Sequence, residues 1–363
     1  MITVYNDDCL ERLKEFEAES IDAVVTDPPY GLSQMPHTQV SDAIVKWSSG
    51  ERDYLPQGRG FMNATWDSFV PSPALWDEVY RVLKPGGHLL SFAGSRTFDL
   101  MSISIRLANF EIRDNIQWWY ASGLPKSLNV SKAVEAETLY GSSHTKFLRK
   151  VEQEGDGESY TLKGTNNGIL GSKRVYERKV YSPRTEEGKE WNGWGTALKP
   201  AYEPIVVARK PMSEPSLAKN ILKHGTGALN IEATKFGDEQ KWLSNVITDE
   251  QIAEELDAQA LNTAKFFFVP KPNSKEKPKV DGVSHETVKP IALMEELVKL
   301  VTPKDGIVLD PFSGSGTTLE AAMINGYNAI GIEREDKYIQ LIKARLERNS
   351  MLFTDDEIRF VNE

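Results

Sequence analysis

One cysteine, Cys9, stands in 363 residues. That excludes an intramolecular disulfide and leaves no set of thiols for a zinc site. Histidine is sparse too. His37, His88, His144, His224 and His285 show neither HxH nor HxxxH spacing, so no metal centre is expected. No apolar run approaches the ~18 residues that a membrane span needs. The opening MITVYNDDCLERLKEF turns acidic where a secretion signal would be apolar. A cytoplasmic protein without membrane association is therefore expected. Basic charge is lacking overall, with a formal net charge of −10, which taken alone argues against a nucleic-acid partner.

The distribution of charge changes that reading. Residues 119–235 carry 18 Lys and Arg against 13 Asp and Glu, whereas the rest of the chain carries 25 against 40. A basic middle inside an acidic frame suits a segment that faces a polyanion. The hydrophobic fraction of 40% and charged fraction of 26% fit a globular protein with ample material for a core.

Strand-like and helix-like patterns alternate in two stretches. The first contains ITVYN, IDAVVTDPPY, the amphipathic PALWDEVYRVLKPGG, HLLSFAG, RTFDLMSISIRLANF and EIRDNIQWWY. Leu75, Val79, Val82 and Leu83 recur at helical spacing, and Pro85-Gly86-Gly87 is expected to end that helix. The second contains KPIALMEELVKLVT, GIVLDPF, TTLEAAMING, YNAIGIE and DKYIQLIKARLERN. Such alternation predicts an α/β, doubly wound sheet. Residues 125–265 are less periodic, and 152–195, rich in Gly, Ser, Asn and charge, read as loops and short elements. Residues 201–211 form a strand-like exception that is expected to return to the sheet. A long polar loop is expected over residues 33–64, ordering over a bound polymer.

Two strand ends carry the chemistry. AVVTDPPYGL ends a β-branched run with an acid, two prolines and an aromatic ring. The prolines lack a donor and hold φ near −65°, so the chain after Asp27 is stiff and its carbonyls stay free as acceptors. Open α/β sheets bind ligands at such carboxyl ends. VLDPFSGSGTT ends a second strand with Asp310 and turns through Gly314 and Gly316 into a helix. Glycine there permits positive φ and close backbone approach. No Lys follows the glycines, so this is no Walker loop. Glu333, ending the next strand, is placed to accept hydrogen bonds from a ribose diol.

Asp27-Pro28-Pro29-Tyr30 together with Asp310-Pro311-Phe312-Ser313-Gly314-Ser315-Gly316-Thr317-Thr318 resembles the DNA amino-methyltransferases that use S-adenosylmethionine. The order, with the catalytic motif first, a variable middle, then HETVKP and the cofactor loop, resembles the beta-class permutation. The resemblance covers roughly residues 1–130 and 196–350. It implies a Rossmann-like methyltransferase sheet with an inserted target recognition region. Residues 1–124 would form the catalytic half and 263–363 the cofactor half. Residues 125–195 and 212–262 would read the target, and 196–211 would supply a core strand.

By the same resemblance, Phe312, Ser313, Gly314, Ser315, Gly316, Thr317 and Thr318 would surround the methionine part of the cofactor beside Asp310. Glu333 would hold its ribose. His285, Thr287, Lys289 and Pro290 would close over its carboxylate end. Asp8, or Asp7, would contact its adenine amino group, unless these acids only cap the following helix.

An exocyclic amine is a poor nucleophile because its lone pair is delocalised into the ring. If Asp27 and the Pro28 carbonyl accept its two N–H bonds, the lone pair can turn toward a sulfonium methyl. Pro29 would stiffen that carbonyl and Tyr30 would stack on the base. Duplex DNA would have to release the base by flipping. Carbon-5 cytosine methylation needs a cysteine nucleophile, and Cys9 lies outside any Pro-Cys pair.

Asp at the first motif position leans to adenine N6 over cytosine N4. RNA as substrate and an inactive DNA-binding subunit are the remaining alternatives. Lys146, Arg149, Lys150, Lys173, Arg174, Arg178, Lys179 and Arg184 are candidate DNA contacts. Trp191 and Trp194, framed by glycines, suit either base stacking or core packing. Double-stranded DNA is the expected partner. The family also brings the expectation of a homodimer and of a separate restriction endonuclease.

Overall fold

The computed structural model describes residues 1–32, 35–56, 58, 67–121, 123, 127–154, 161–167, 173–179, 181–260, 263–264, 267–270, 280, 288–348 and 358–362. For 152–154, 161–167, 173–179 and 362 only the backbone is described. The chain forms two units, one of residues 1–121 with 202–363, the other of residues 122–201.

The larger unit is built on a nine-stranded sheet. Its strands are β1 (Ile2–Asn6), β2 (Ile21–Thr26), β3 (Leu83–Phe92), β4 (Glu111–Trp119), β7 (Tyr202–Arg209), β8 (Val246–Thr248), β9 (Ile307–Asp310), β10 (Asn328–Glu333) and β11 (Ile358–Asn362). The order is β11-β1-β10-β9-β2-β3-β7-β4-β8. Neighbours from β11 to β3 are parallel, and β7 runs antiparallel between β3 and β4. The helices of this unit are α1 (Cys9–Glu15), α2 (His37–Ser49), α3 (Pro73–Val82), α4 (Phe98–Leu107), α8 (Leu217–His224), α9 (Glu250–Gln259), α10 (Ile291–Val301), α11 (Thr317–Ile324) and α12 (Asp336–Glu347).

The sheet is covered on both faces, as its near-continuous apolar strands require. One core joins Val25, Leu90, Val207 and Val308 to Leu297, Leu319 and Ile342, and the other joins Val24, Leu89, Val206 and Leu309 to Trp76, Val79 and Met101. Adjacent residues of each strand thus enter opposite cores, which is the period-two signature of a buried strand. The architecture is the doubly wound α/β sheet that the sequence pattern implies.

Two local expectations differ from the structure. Pro85-Gly86-Gly87 does not form a break after α3. The helix ends at Val82, and β3 runs through those residues. Gly86, at φ +84°, lies so close to Asn220 and the Gly227 backbone that a Cβ would clash, and the Pro85 carbonyl accepts from Asn220 Nδ2 at 2.8 Å and Thr226 Oγ1 at 2.6 Å. The supposed loop at 33–64 contains α2, anchored by Ala43 and Trp47, both fully buried. Residues 212–262, expected to read the target, fall within the larger unit and carry α8, β8 and α9.

The smaller unit contains α5 (Val130–Tyr140), α6 (Thr145–Glu154), the antiparallel pair β5 (Thr161–Asn167) and β6 (Lys173–Lys179), and α7 (Glu186–Glu190). Short elements thus occupy part of residues 152–195, where loops and short elements are expected. Glu135 is buried inside this unit, receiving the backbone N–H of Arg184 at 2.6 Å and its guanidinium at 3.1 Å.

Candidate active site

The carboxyl ends of β1, β2, β9 and β10 open on one cavity of about 670 Å³, within the range that holds a nucleoside-sized ligand. Of the cofactor and catalytic residues picked from the sequence, all line this cavity except four. Gly316 and Pro290 sit just behind it as the N-caps of α11 and α10. His285 and Thr287 lie outside the described residues.

Asp310 ends β9 and shapes the glycine loop. Its carboxylate accepts from Thr26 Oγ1 at 2.7 Å and from the Phe312 amide at 3.1 Å, and its carbonyl accepts from Ser313 Oγ at 3.0 Å. Burial raises its pKa to about 6 against these stabilising bonds. Gly314 and Gly316 adopt φ of +52° and +79°, which a side chain would oppose. Gly331, which the sequence reading passed over, lets β10 approach the loop: a Cβ there would lie 2.5 Å from Ser313 Oγ and 2.6 Å from Leu319. Behind the loop, the buried Arg345 of α12 donates to the Ser315 carbonyl at 2.7 Å and pairs with Glu320 at 2.5 Å.

Glu333 turns its carboxylate to the loop. Gly314 N–H donates to Oε2 and Glu335 N–H to Oε1, each at 2.8 Å. Burial outweighs these bonds and pushes its pKa up to about 7. Asp8 caps α1, accepting from the Leu10 and Glu11 amides at 3.0 and 3.3 Å. Asp7 is paired with Arg12 at 2.8 Å. Both acids still line the cavity, so capping and ligand contact are compatible for Asp8.

The acid–proline turn lies at the other end of the cavity. Pro28 is buried, and Asp67 fixes the turn by accepting the Tyr30 and Gly31 amides at 2.8 and 3.1 Å. Thr97 Oγ1 donates to the Tyr30 carbonyl at 2.5 Å. Sequence reasoning missed Asp67 and Thr97, which become visible only once the chain brings them against the motif.

Both oxygens of Asp27 are engaged. Oδ1 is 2.7 Å from the Tyr30 hydroxyl, and Oδ2 is 2.5 Å from Lys289 Nζ. Glu203, on β7, completes a ring, with Oε2 at 2.9 Å from the same hydroxyl and 3.3 Å from the same ammonium. Lys289, expected to face the cofactor's carboxylate end, is thus placed on Asp27. Burial alone would lower its pKa, but Asp27 and Glu203 outweigh burial and hold the ammonium protonated. Burial, then the two carboxylates, pushes the Tyr30 phenol well above its ordinary value, so it stays neutral. The ammonium also lies 5.4 Å from the Tyr30 ring centre and 4.9 Å from that of Phe92.

The DNA candidates fall into three groups, all in the smaller unit. Lys146 and Arg149 are exposed, and Lys150 is exposed with its ammonium 4.4 Å from the Tyr140 ring centre. Lys173, Arg174, Arg178 and Lys179 lie on β6, where only the backbone is described. Arg184 is held by buried Glu135 and is poorly placed to pair with phosphate. Trp191 and Trp194 pack edge to face at 5.2 Å and are 39% and 61% exposed, so neither belongs to a core.

An acid-rich cavity at the carboxyl end of an open sheet repels phosphates and favours a cationic nucleoside. A rigid carboxylate faces it at the far end. These features suit a ligand that joins a nucleoside to a positively charged group.

Comparison with known proteins agrees. A family model described as DNA methylase, for N6 and N4 methyltransferases, matches residues 21–344, and the chain belongs to this family of S-adenosylmethionine-dependent DNA amino-methyltransferases. Type II methyltransferase M.BglI of Bacillus subtilis is 51% identical over 350 residues, covering 94% of this chain and 84% of the relative. Type II methyltransferase M.HindIII of Haemophilus influenzae is 27% identical over 372 residues, covering 98% of both. The DNA adenine methyltransferase YhdJ of Escherichia coli K12 is 23% identical over 345 residues, covering 95% and 82%.

Proposed function

We propose that the enzyme methylates the N6 amine of adenine in DNA, site-specifically, after the base leaves the duplex. The observation that carries this reading is the immobilised Asp27 carboxylate beside the buried Pro28, two acceptors on a turn pinned by Asp67 and Thr97. When bound, S-adenosylmethionine supplies an electrophilic methyl group. Glu333 would accept its ribose hydroxyls, the loop from Phe312 to Thr318 would pass along its methionine part, and Asp8 would meet its adenine end.

Asp27 and the Pro28 carbonyl would draw the amine lone pair out of conjugation, and no covalent link to the protein is needed. The adenine assignment rests on Asp at the first motif position and on the name of the YhdJ relative. The smaller unit, with exposed Lys146, Arg149 and Lys150, would supply phosphate contacts, and exposed Trp191 and Trp194 would supply a stacking surface. A cytoplasmic enzyme with a separate endonuclease partner, and a second copy of this chain, complete the proposal. Among the described residues no helix is long and apolar enough to cross a membrane.

The test is incubation of unmodified genomic DNA with the protein and S-adenosylmethionine, followed by nucleoside mass spectrometry and modification-sensitive sequencing. N6-methyladenine in one sequence context is expected. N4-methylcytosine would overturn the base assignment while keeping the amine chemistry, since the same two acceptors suit that amine.

A further inference from the structure

We propose that Glu203 is the second carboxylate of the active site, a positioning residue that takes up, through Tyr30, the proton released by the methylated amine. The proposal rests on the amine-methylation reading above.

The Tyr30 hydroxyl has one proton but lies 2.7 Å from Asp27 Oδ1 and 2.9 Å from Glu203 Oε2. A phenol donates one hydrogen bond, and a carboxylate only accepts. The single Tyr30 proton can go to either carboxylate, so the phenol is a hydrogen-bonded bridge along which a proton arriving at Asp27 can be passed to Glu203.

Methyl transfer supplies that proton. The alkylated nitrogen is cationic, and breaking one of its N–H bonds leaves the electron pair on nitrogen and delivers the proton to Asp27. Asp27 then donates to Tyr30 Oη as the Tyr30 proton moves to Glu203 Oε2. Bonds and charges balance without a further reactant. Tyr30 ends as a neutral phenol, in keeping with the burial and flanking acids that oppose its ionisation. Lys289, within reach of both carboxylates, fixes their oxygens and prevents the two anions from separating.

The groups facing Glu203 are Asp27 and Tyr30 after β2, Lys289 before α10, and Tyr120 after β4. The pKa of Tyr120 is pushed up to about 12 by burial and then by Glu203. Glu203 pairs with Trp118 across the β4–β7 ladder, which sets its side chain on that face of the sheet. With its side chain 22% exposed, Glu203 can pass the proton on to solvent.

The decisive variant is Glu203→Gln, which keeps size and hydrogen bonding but cannot take a proton. It should fold, with melting lowered only modestly because Lys289 keeps its Asp27 contact, bind S-adenosylhomocysteine and extrude a 2-aminopurine target within about threefold of wild type, and lose ~100-fold in kcat. Tyr30→Phe should show the same loss, and the double variant should be no worse. In infrared difference spectra of a single turnover, wild type should gain a protonated-carboxyl band that Glu203→Gln lacks. Glu203→Asp should recover part of the rate. A kcat within about threefold of wild type, or a carboxyl band that persists in Glu203→Gln, overturns the proposal. Failure of wild type to methylate an amine would be a different result, removing the reading on which it rests.

Discussion

Cofactor affinity should depend on pH through Glu333. Burial raises this carboxyl to about 7 despite two amide donors. A ribose diol donates to the ionised form, so binding draws the proton off and affinity must rise with pH until Glu333 is ionised. With the pKa at about 7, roughly one tenth of the free protein is ionised at pH 6. The dissociation constant there should be about tenfold weaker than at pH 8 and above, a difference of ~1.4 kcal/mol. Titration calorimetry with S-adenosylhomocysteine at pH 6, 7, 8 and 9 measures it, with Glu333→Gln as the reference that removes the ligand's own titrations. Wild type minus variant should give about a fivefold rise in affinity between pH 6 and 7, about tenfold between pH 6 and 8, and a plateau above pH 8. A pH-independent difference between the two proteins would refute the assignment of Glu333 to the ribose.

Two further perturbations follow from buried charge. Arg345→Met removes the buried ion pair to Glu320 at 2.5 Å and the donor to the Ser315 carbonyl at 2.7 Å, so destabilisation should be ~3 kcal/mol, the lower end for breaking a buried pair. Denaturant melts check this, and cofactor affinity should fall about tenfold as the loop loses its support. His88, 5% exposed, is held neutral to about 4 by burial and then by Arg209 and Arg113. Because the unfolded chain binds that proton near pH ~6.5, stability should fall as pH drops from there toward 4, by roughly 3 kcal/mol. His88→Gln should lack this part of the acid loss in melts at pH 7, 5 and 4, and identical slopes would refute it.

How far the sequence alone reaches depends on the distance between partners. Asp27, Asp310 and Glu333 were legible because each ends a β-branched strand, and strand ends carry ligands in this architecture. Gly314 and Gly316 were legible for the same local reason. Glu203 was not, because nothing near residue 203 marks it. It reaches the site when β7 inserts antiparallel between β3 and β4, 173 residues from Tyr30 in the chain. Lys289 was legible as a functional residue but not in its partner, Asp27, which is 262 residues away. Helix α2 was legible in its stripe of Val40, Ala43, Ile44 and Trp47 at helical spacing, but that stripe was passed over because polar residues surround it. Arg184 looked like a surface cation because the buried acid that holds it, Glu135, lies on α5, 49 residues away in the chain.

The central claim is that Asp27 activates the amine rather than holding the cofactor. Asp27→Ala leaves Lys289 its Glu203 contact, so the pocket should survive. Single-turnover methylation of DNA by this variant, measured alongside calorimetric cofactor binding, tests the claim most directly. Transfer should fall by ~1000-fold with cofactor affinity within about threefold of wild type. Near-normal transfer, or a loss of cofactor binding large enough to explain the defect, would contradict it.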